Sequence, residues 1–147
     1  MNGLKFGPKL ISGDAMKIEN IIKTAMVSVG TFIGWYFGRL DGFLYALIIF
    51  VVVDYLTGIL CAIHDKNLSS EVGFKGISKK VLIFILVGIG NVIDITILQE
   101  GGSIRTAVIF FYLSNEGISI IENAAHLGLP IPEALKNVLN SLDKEKK

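Results

Sequence analysis

The chain has 147 residues, of which 52% are apolar, and a formal net charge of +1. A soluble domain of this length has too little core to bury so much apolar surface, and the near-zero charge excludes the broad basic field that nucleic-acid binding needs. The single cysteine, Cys61, excludes an intrachain disulfide. The composition therefore favours a protein that places its apolar surface in a membrane and binds no nucleic acid.

Four segments have the length of about 20 residues that a membrane-spanning helix needs. They cover about residues 18–37, 42–63, 80–98 and 104–124. Residues 1–17 are mixed and polar, and they lack the pattern of a cleaved secretory signal. We therefore expect an all-α, polytopic integral membrane protein with one membrane domain and about four transmembrane helices. Because the fourth segment is the least apolar, three spans with a last helix at the interface remain an alternative.

The remaining segment, residues 125–147, is more polar and ends in the charged run DKEKK. Apolar residues recur within it at helical spacing: Ile131, Leu135, Val138, Leu139 and Leu142. This pattern predicts a short C-terminal amphipathic helix that lies on the membrane surface or packs on a partner, followed by a solvated tail.

Basic residues cluster on one side of the four predicted spans. Lysines precede the first span, occupy the long polar connection after the second and follow the fourth, whereas the two short connections hold Arg39 and Arg105. Loops rich in Lys and Arg remain in the cytoplasm under the positive-inside rule. We therefore expect a multi-pass protein with both termini and the long connection in the cytoplasm.

Three of the apolar segments carry an acid without a Lys or Arg in the same run: Asp54, Asp94 and Glu116. A carboxylate in hydrocarbon is costly, so each acid must face protein, face water or be neutral. With polar neighbours they form a set of candidates for lining or gating a pore: Asp54, Asn91, Asp94, Asn115, Glu116, Ser119 and Glu122. An acid that clamps two helices by hydrogen bonds, in its protonated form, is the alternative for Asp54 and Asp94.

Glycines recur at every fourth position of the first span: Gly30, Gly34 and Gly38. At about 100° per residue they share one helix face. Small residues let two membrane helices approach closely. The spacing predicts packing between subunits of a homo-oligomer or close packing within one subunit.

No catalytic motif and no Cys/His spacing typical of a metal site is present, so we expect no metal and no cofactor. His64, at the end of the second span, fits an interfacial histidine better than a proton sensor. An intramembrane aspartyl protease that uses Asp54 and Asp94 is one alternative. The different depths of the two acids and the missing Gly-x-Gly-Asp signature argue against it. A small ion or solute channel with a fixed pore is the other alternative.

Two stretches together resemble a known family. They are DYLTGILCAIHDKNLSSEVGFKGISKK, which continues to NVIDI, and GISIIENAAHLGLPIPEALKNVL. In order and spacing they are similar to the phage-lysis and toxin-secretion holins of Gram-positive bacteria and their phages. The positions that match the family motif, without individual roles, are Asp54, Gly58, Ser69, Ser70, Gly73, Gly76, Lys80 and Asp94.

The resemblance implies a non-enzymatic protein of the bacterial cytoplasmic membrane. Such holins accumulate harmlessly, assemble at a set time and open lesions that release a murein-degrading endolysin or, in some relatives, a large toxin. The implied partners are the lipid bilayer and further copies of the chain, with an endolysin or toxin as a functional rather than a direct partner.

Overall fold

The computed structural model of the protein describes residues 9–99, 101–134 and 137, and these residues form helices and no β-strand. The helices are α1 (Lys9–Phe37), α2 (Gly42–His64), α3 (Ser70–Ile93) and α4 (Ser103–His126). A π-helical segment, Asp94–Leu98, continues directly from α3. The described part of the chain therefore confirms the all-helical class.

Three of these helices are long and apolar enough to cross a membrane. They are α2, α3 with its π-helical continuation, and α4, which is the least apolar of the three. Large apolar side chains such as Leu60, Ile89 and Phe111 are exposed along them. Such exposure suits helices that lipid surrounds. Over the described residues α1 is not among the candidate spans, so its crossing of the membrane stays a prediction.

The chain divides into two compact units, Met1–Gly38 and Arg39–Lys147, and α1 belongs to the first. This helix ends at Phe37, and Gly38 follows with φ = 73°, a backbone conformation that glycine adopts without steric cost. Gly38 therefore lies beyond the helix. The expectation that three glycines share one face of α1 is wrong for Gly38, and the face contains Gly30 and Gly34.

The second unit is built from α2, α3 and α4. The most extensive contact joins α2 to α4, and α3 packs mainly on α4. The buried apolar side chains come from all three helices: Leu44, Leu47, Val51, Ile83, Val87 and Ile109. Gly90 permits the close approach of α3 to α4, because a Cβ there would stand 3.1 Å from the Cα of Arg105. The close spacing of α3 and α4 at this point thus depends on a glycine.

The connection between α2 and α3 is shorter than the polar, glycine-rich sequence suggests. We expected a long loop up to Lys80, but α3 begins at Ser70. Ser69 caps it, because its hydroxyl accepts a backbone N–H one turn into the helix at 3.2 Å. The first turns of α3 lie against α2, and a Cβ on Gly76 would come within 3.2 Å of the Tyr55 ring. The residues between the Ser69 cap and Lys80 are therefore helical rather than part of a loop.

The predicted C-terminal amphipathic helix falls mainly outside the described residues. α4 ends at His126, and Gly128 follows with φ = 84°. Four of the five apolar positions that predict the later helix are not among the described residues: Leu135, Val138, Leu139 and Leu142.

Candidate functional site

Polar side chains of the second unit meet at three levels along the helices. We name each level by its central residue. The Arg105 layer holds Asp41, Asp94 and Arg105. The Lys80 layer holds Asp54, Lys80 and Glu116, and the Asp65 layer holds His64, Asp65 and His126. At 1.5 Å per residue, Arg105 and Glu116 lie about 16 Å apart along α4, and Glu116 and His126 about 15 Å apart. The outer two layers are therefore separated by roughly the thickness of a bilayer's hydrocarbon, about 30 Å.

In the Lys80 layer, one ammonium group binds two carboxyl groups. The Nζ atom of Lys80 donates to Asp54 Oδ2 and to Glu116 Oε2. Asp54 is 8% exposed and Glu116 is 6% exposed. Each of the three helices contributes one residue. Asp54 and Glu116, whose own apolar runs contain no base, thus share a base from α3.

A second set of hydrogen bonds fixes Asp54 against α4. The side-chain amide of Asn123 donates to Asp54 Oδ1 at 3.2 Å and to the Thr57 hydroxyl at 3.0 Å. Gly58 lies beside the same amide, 3.9 Å from where its Cβ would stand. Within the described ranges, every buried side-chain nitrogen and oxygen has a hydrogen-bond partner. The layer is therefore satisfied without an external ligand.

A groove of about 530 Å³ opens between α3 and α4 beside the Lys80 layer. It is lined by four of the predicted pore-lining residues: Asp54, Asn115, Glu116 and Ser119. Glu122 is exposed on α4 and Asn91 is buried on α3, and the groove includes neither. The structure therefore brings together about half of the residues that the sequence singled out.

A smaller cavity of about 220 Å³ lies between α2 and the first turns of α3. Five of the positions that match the family motif line it: Asp54, Gly58, Gly73, Gly76 and Lys80. Ser69 and Ser70 begin the helix that forms one wall. Most of the motif positions thus lie in one region of the structure, where α3 begins, packs on α2 and places Lys80 beside Asp54.

Asp94, in the Arg105 layer, clamps two helices. It is 1% exposed, and its two oxygens accept the backbone N–H groups of Ile104 at 2.9 Å and Arg105 at 2.8 Å. Two acceptor oxygens are typical of an ionised carboxylate, which the N-terminal end of a helix stabilises. This geometry fits the helix-clamping alternative rather than a pore-lining role, and it differs from the expected clamp in needing no proton on the acid.

The Arg105 side chain extends the same layer to α2. It donates to Asp41 Oδ2 at 2.7 Å and to the backbone oxygen of Arg39 at 2.7 Å. Asp41 also caps α2, because its Oδ1 accepts the Leu44 N–H at 3.0 Å. The hydrogen bond from Arg105 lowers the pKa of the Asp41 carboxyl below its ordinary value. The beginnings of α2 and α4 are thereby tied to the end of α3.

The positions of Asp54 and Asp94 contradict the aspartyl protease alternative. Asp54 binds Lys80, and Lys80 lies about 21 Å from Asp94 along α3. A catalytic carboxyl pair must share a proton across a hydrogen bond. The two acids instead belong to separate layers with separate partners.

The Asp65 layer closes the opposite end. Asp65 Oδ1 lies 3.2 Å from His64 Nδ1, and both oxygens lie 2.9 Å from His126 Nε2. The hydrogen bonds from His126 and then His64 lower the pKa of Asp65. Sequence reasoning considered His64 alone and missed this cluster. The available signal was that both histidines of the chain stand at the ends of predicted spans.

We expect Lys80→Met to lower the free energy of unfolding by about 3–5 kcal/mol, because it leaves two carboxyl groups buried without their cation. Unfolding by SDS in mixed micelles, followed by circular dichroism, measures this change. Lys79→Met is the matched control, since Lys79 is exposed and its replacement should leave stability near wild type. Equal stability of the two variants would contradict the assigned role of Lys80.

We expect Asp41→Asn to destabilise the protein at neutral pH but not in acid. Asn preserves the cap of α2 and removes the charge that pairs with Arg105. Because the folded-state pKa of Asp41 is lowered, its contribution is present above the ordinary value of about 3.9 and is lost as the pH falls through the folded-state pKa. Thermal midpoints of both proteins at neutral pH and through a series of acid pH values below the ordinary pKa measure the effect. A difference that is the same at both pH values would exclude the charge as its source.

The chain is similar in sequence to a known family of proteins. The profile of the bacteriophage holin family matches residues 31–144. The chain is 43% identical over 129 residues to an uncharacterised 14.9 kDa protein of Clostridium perfringens, covering 88% of this chain and 98% of that protein. It is 44% identical over 126 residues to an uncharacterised protein of Listeria monocytogenes, covering 86% and 89% of the two chains.

A phage protein is also similar. The chain is 33% identical over 99 residues to a protein of Bacillus phage phi105 named probable holin, covering 67% of this chain and 73% of that protein. No solved structure matches the chain. Family membership and the three apolar helices indicate a membrane protein, and the family is not one of enzymes. The chain belongs to the bacteriophage holin family.

Proposed function

We propose that the protein is a holin that assembles in the bacterial cytoplasmic membrane and opens lesions through which an endolysin leaves the cell and lysis follows. A large toxin is the alternative cargo. The observation that carries this proposal is the polar groove within three apolar helices, lined by Asp54, Asn115, Glu116 and Ser119. Membership of the holin family supports it independently.

The depth of the Lys80 layer makes the groove a switchable surface. The layer lies about 15 Å from each end layer along α4, hence near the middle of hydrocarbon about 30 Å thick. Charged groups persist at that depth when they pair with one another or meet water. In a single subunit, Asp54 and Glu116 pair with Lys80. In a large ring, the same side chains would find water instead.

Assembly of a ring would convert the paired side chains of the single subunit into a surface that faces water. Many subunits packed side by side would turn their grooves towards a common interior, because lipid rejects polar surface. Gly30 and Gly34 of α1 would allow close helix packing between subunits of the homo-oligomer. The membrane potential would bias the switch, since moving one charge through 100 mV is worth about 2.3 kcal/mol.

We expect Asp54→Asn and Glu116→Gln to advance the onset of lysis, because each weakens the charge-assisted hydrogen bonds to Lys80 that hold the three helices together in the single subunit. The measurement follows culture density and release of a folded cytoplasmic reporter after induction at matched expression. Glu71→Gln is the control, since this exposed acid lies outside both the groove and the smaller cavity. If both test variants lysed cells on the wild-type schedule, the acids would have no part in the timing.

The same assay separates a holin from a small channel with a fixed pore. A holin leaves cells intact for an interval and then releases the folded reporter abruptly. A fixed channel gives steady, ion-selective conductance in reconstituted bilayers and retains the reporter. Steady conductance without reporter release would overturn the holin proposal in favour of the channel.

We further propose four membrane crossings, with α1 as the first and both termini in the cytoplasm. The distribution of lysines supports this orientation. Green fluorescent protein fused to either terminus should fluoresce, because it folds in the cytoplasm, and the extracellular reporter alkaline phosphatase should stay inactive at both ends. Termini on opposite sides of the membrane, in either order, would instead indicate three crossings.

A further inference from the structure

We propose that His64, Asp65 and His126 form a binding site for a Zn²⁺ ion at one end of the three-helix unit. The site lies outside both the groove and the smaller cavity, and it does not depend on lesion formation. It joins the last residue of α2, its cap residue and the last residue of α4. The three side chains each offer one ligand atom, and these atoms all lie within 4.8 Å of one another.

The distances between these atoms suit a shared metal ion. His64 Nδ1 and His126 Nε2 lie 3.2 and 2.9 Å from Asp65 Oδ1. Two ligands bound to zinc at about 2.0–2.1 Å with tetrahedral angles stand about 3.3 Å apart. The third separation, between the two imidazole nitrogens, is at most 4.8 Å, so rotation of the exposed side chains would bring all three ligand atoms around one ion.

The types of ligand favour zinc over the alkaline-earth ions. Two imidazoles and one carboxylate are typical of zinc sites, whereas Mg²⁺ and Ca²⁺ prefer oxygen ligands throughout. The three side chains are between 38% and 61% exposed, so an ion can reach them and water can complete the coordination. The rings meet edge to face with their centroids 5.9 Å apart, and one nitrogen of each ring lies within 3.2 Å of Asp65 Oδ1.

Such an ion would fasten α2 to α4 at the end opposite the Arg105 layer. Residues 64–65 and 126 are about 60 positions apart in the sequence, so the link closes a long stretch of chain. A ligand that binds the folded state raises stability by mass action. Bound zinc would therefore raise the unfolding temperature and resist separation of the two helix ends.

The test uses the full chain, purified in detergent micelles without a polyhistidine tag and stripped of metal by a chelator. Titration with Zn²⁺ against a fluorescent zinc indicator should give one ion per chain and a higher thermal midpoint, and Mg²⁺ should give neither. His64→Gln and His126→Gln should each weaken zinc binding at least tenfold, since even outer-sphere substitutions cost about 10–100-fold.

Two control variants each replace a side chain that could bind zinc but lies outside the proposed site. Cys61→Ser removes the single thiol of the chain, and Glu71→Gln removes an exposed carboxylate, and both variants should bind zinc as the wild type does. Circular dichroism of each variant establishes that its helices are intact. The proposal is overturned if the wild type shows no saturable zinc binding, or if His64→Gln and His126→Gln leave the affinity unchanged, or if Cys61→Ser abolishes binding. Each of these results would leave the holin proposal untouched.

Discussion

The Lys80 ammonium, shared by two carboxyl groups between apolar helices, is the interaction on which the second unit depends. Each of α2, α3 and α4 supplies one member, and the carboxyl groups of α2 and α4 both depend on the single cation of α3. Removing one partner from a buried ionic group costs far more than the group contributes when complete. The three helices are therefore coupled by electrostatics as well as by their few buried apolar side chains.

The position of Lys80 explains why the sequence before it contains a serine cap and two glycines. Gly73 and Gly76 let the first turns of α3 lie against Tyr55, and the Ser69 cap starts the helix early enough for Lys80 to face Asp54. Gly90 does the same at the other end, where α3 approaches α4. Gly76 and Gly90 thus mark places where two helices come close, and each lies near a polar layer.

Much of the fold could be predicted from hydrophobic runs, because lipid imposes long apolar helices. Residues 42–63 and 104–124 were predicted as spans and correspond closely to α2 and α4. The early start of α3 was missed because residues 70–80 are polar and glycine-rich, although the serine cap was a usable signal. Periodicity shows which residues share a face of one helix, but it does not show which faces meet. The pairing of Lys80 with two acids and the convergence of His64 on His126 therefore required the structure.

The order of the Lys80 layer along the chain has a consequence for how the protein enters the bilayer. Asp54 is synthesised 26 residues before Lys80, and Glu116 follows 36 residues after it. When α2 emerges from the ribosome its carboxyl group has no cation, and it gains one when the start of α3 arrives. Either helix alone would hold an unpaired charge in the lipid. The hairpin of α2 and α3 is therefore the smallest unit that an insertion machinery can release with its charges matched. When α4 follows, its Glu116 binds a lysine that is already in the membrane.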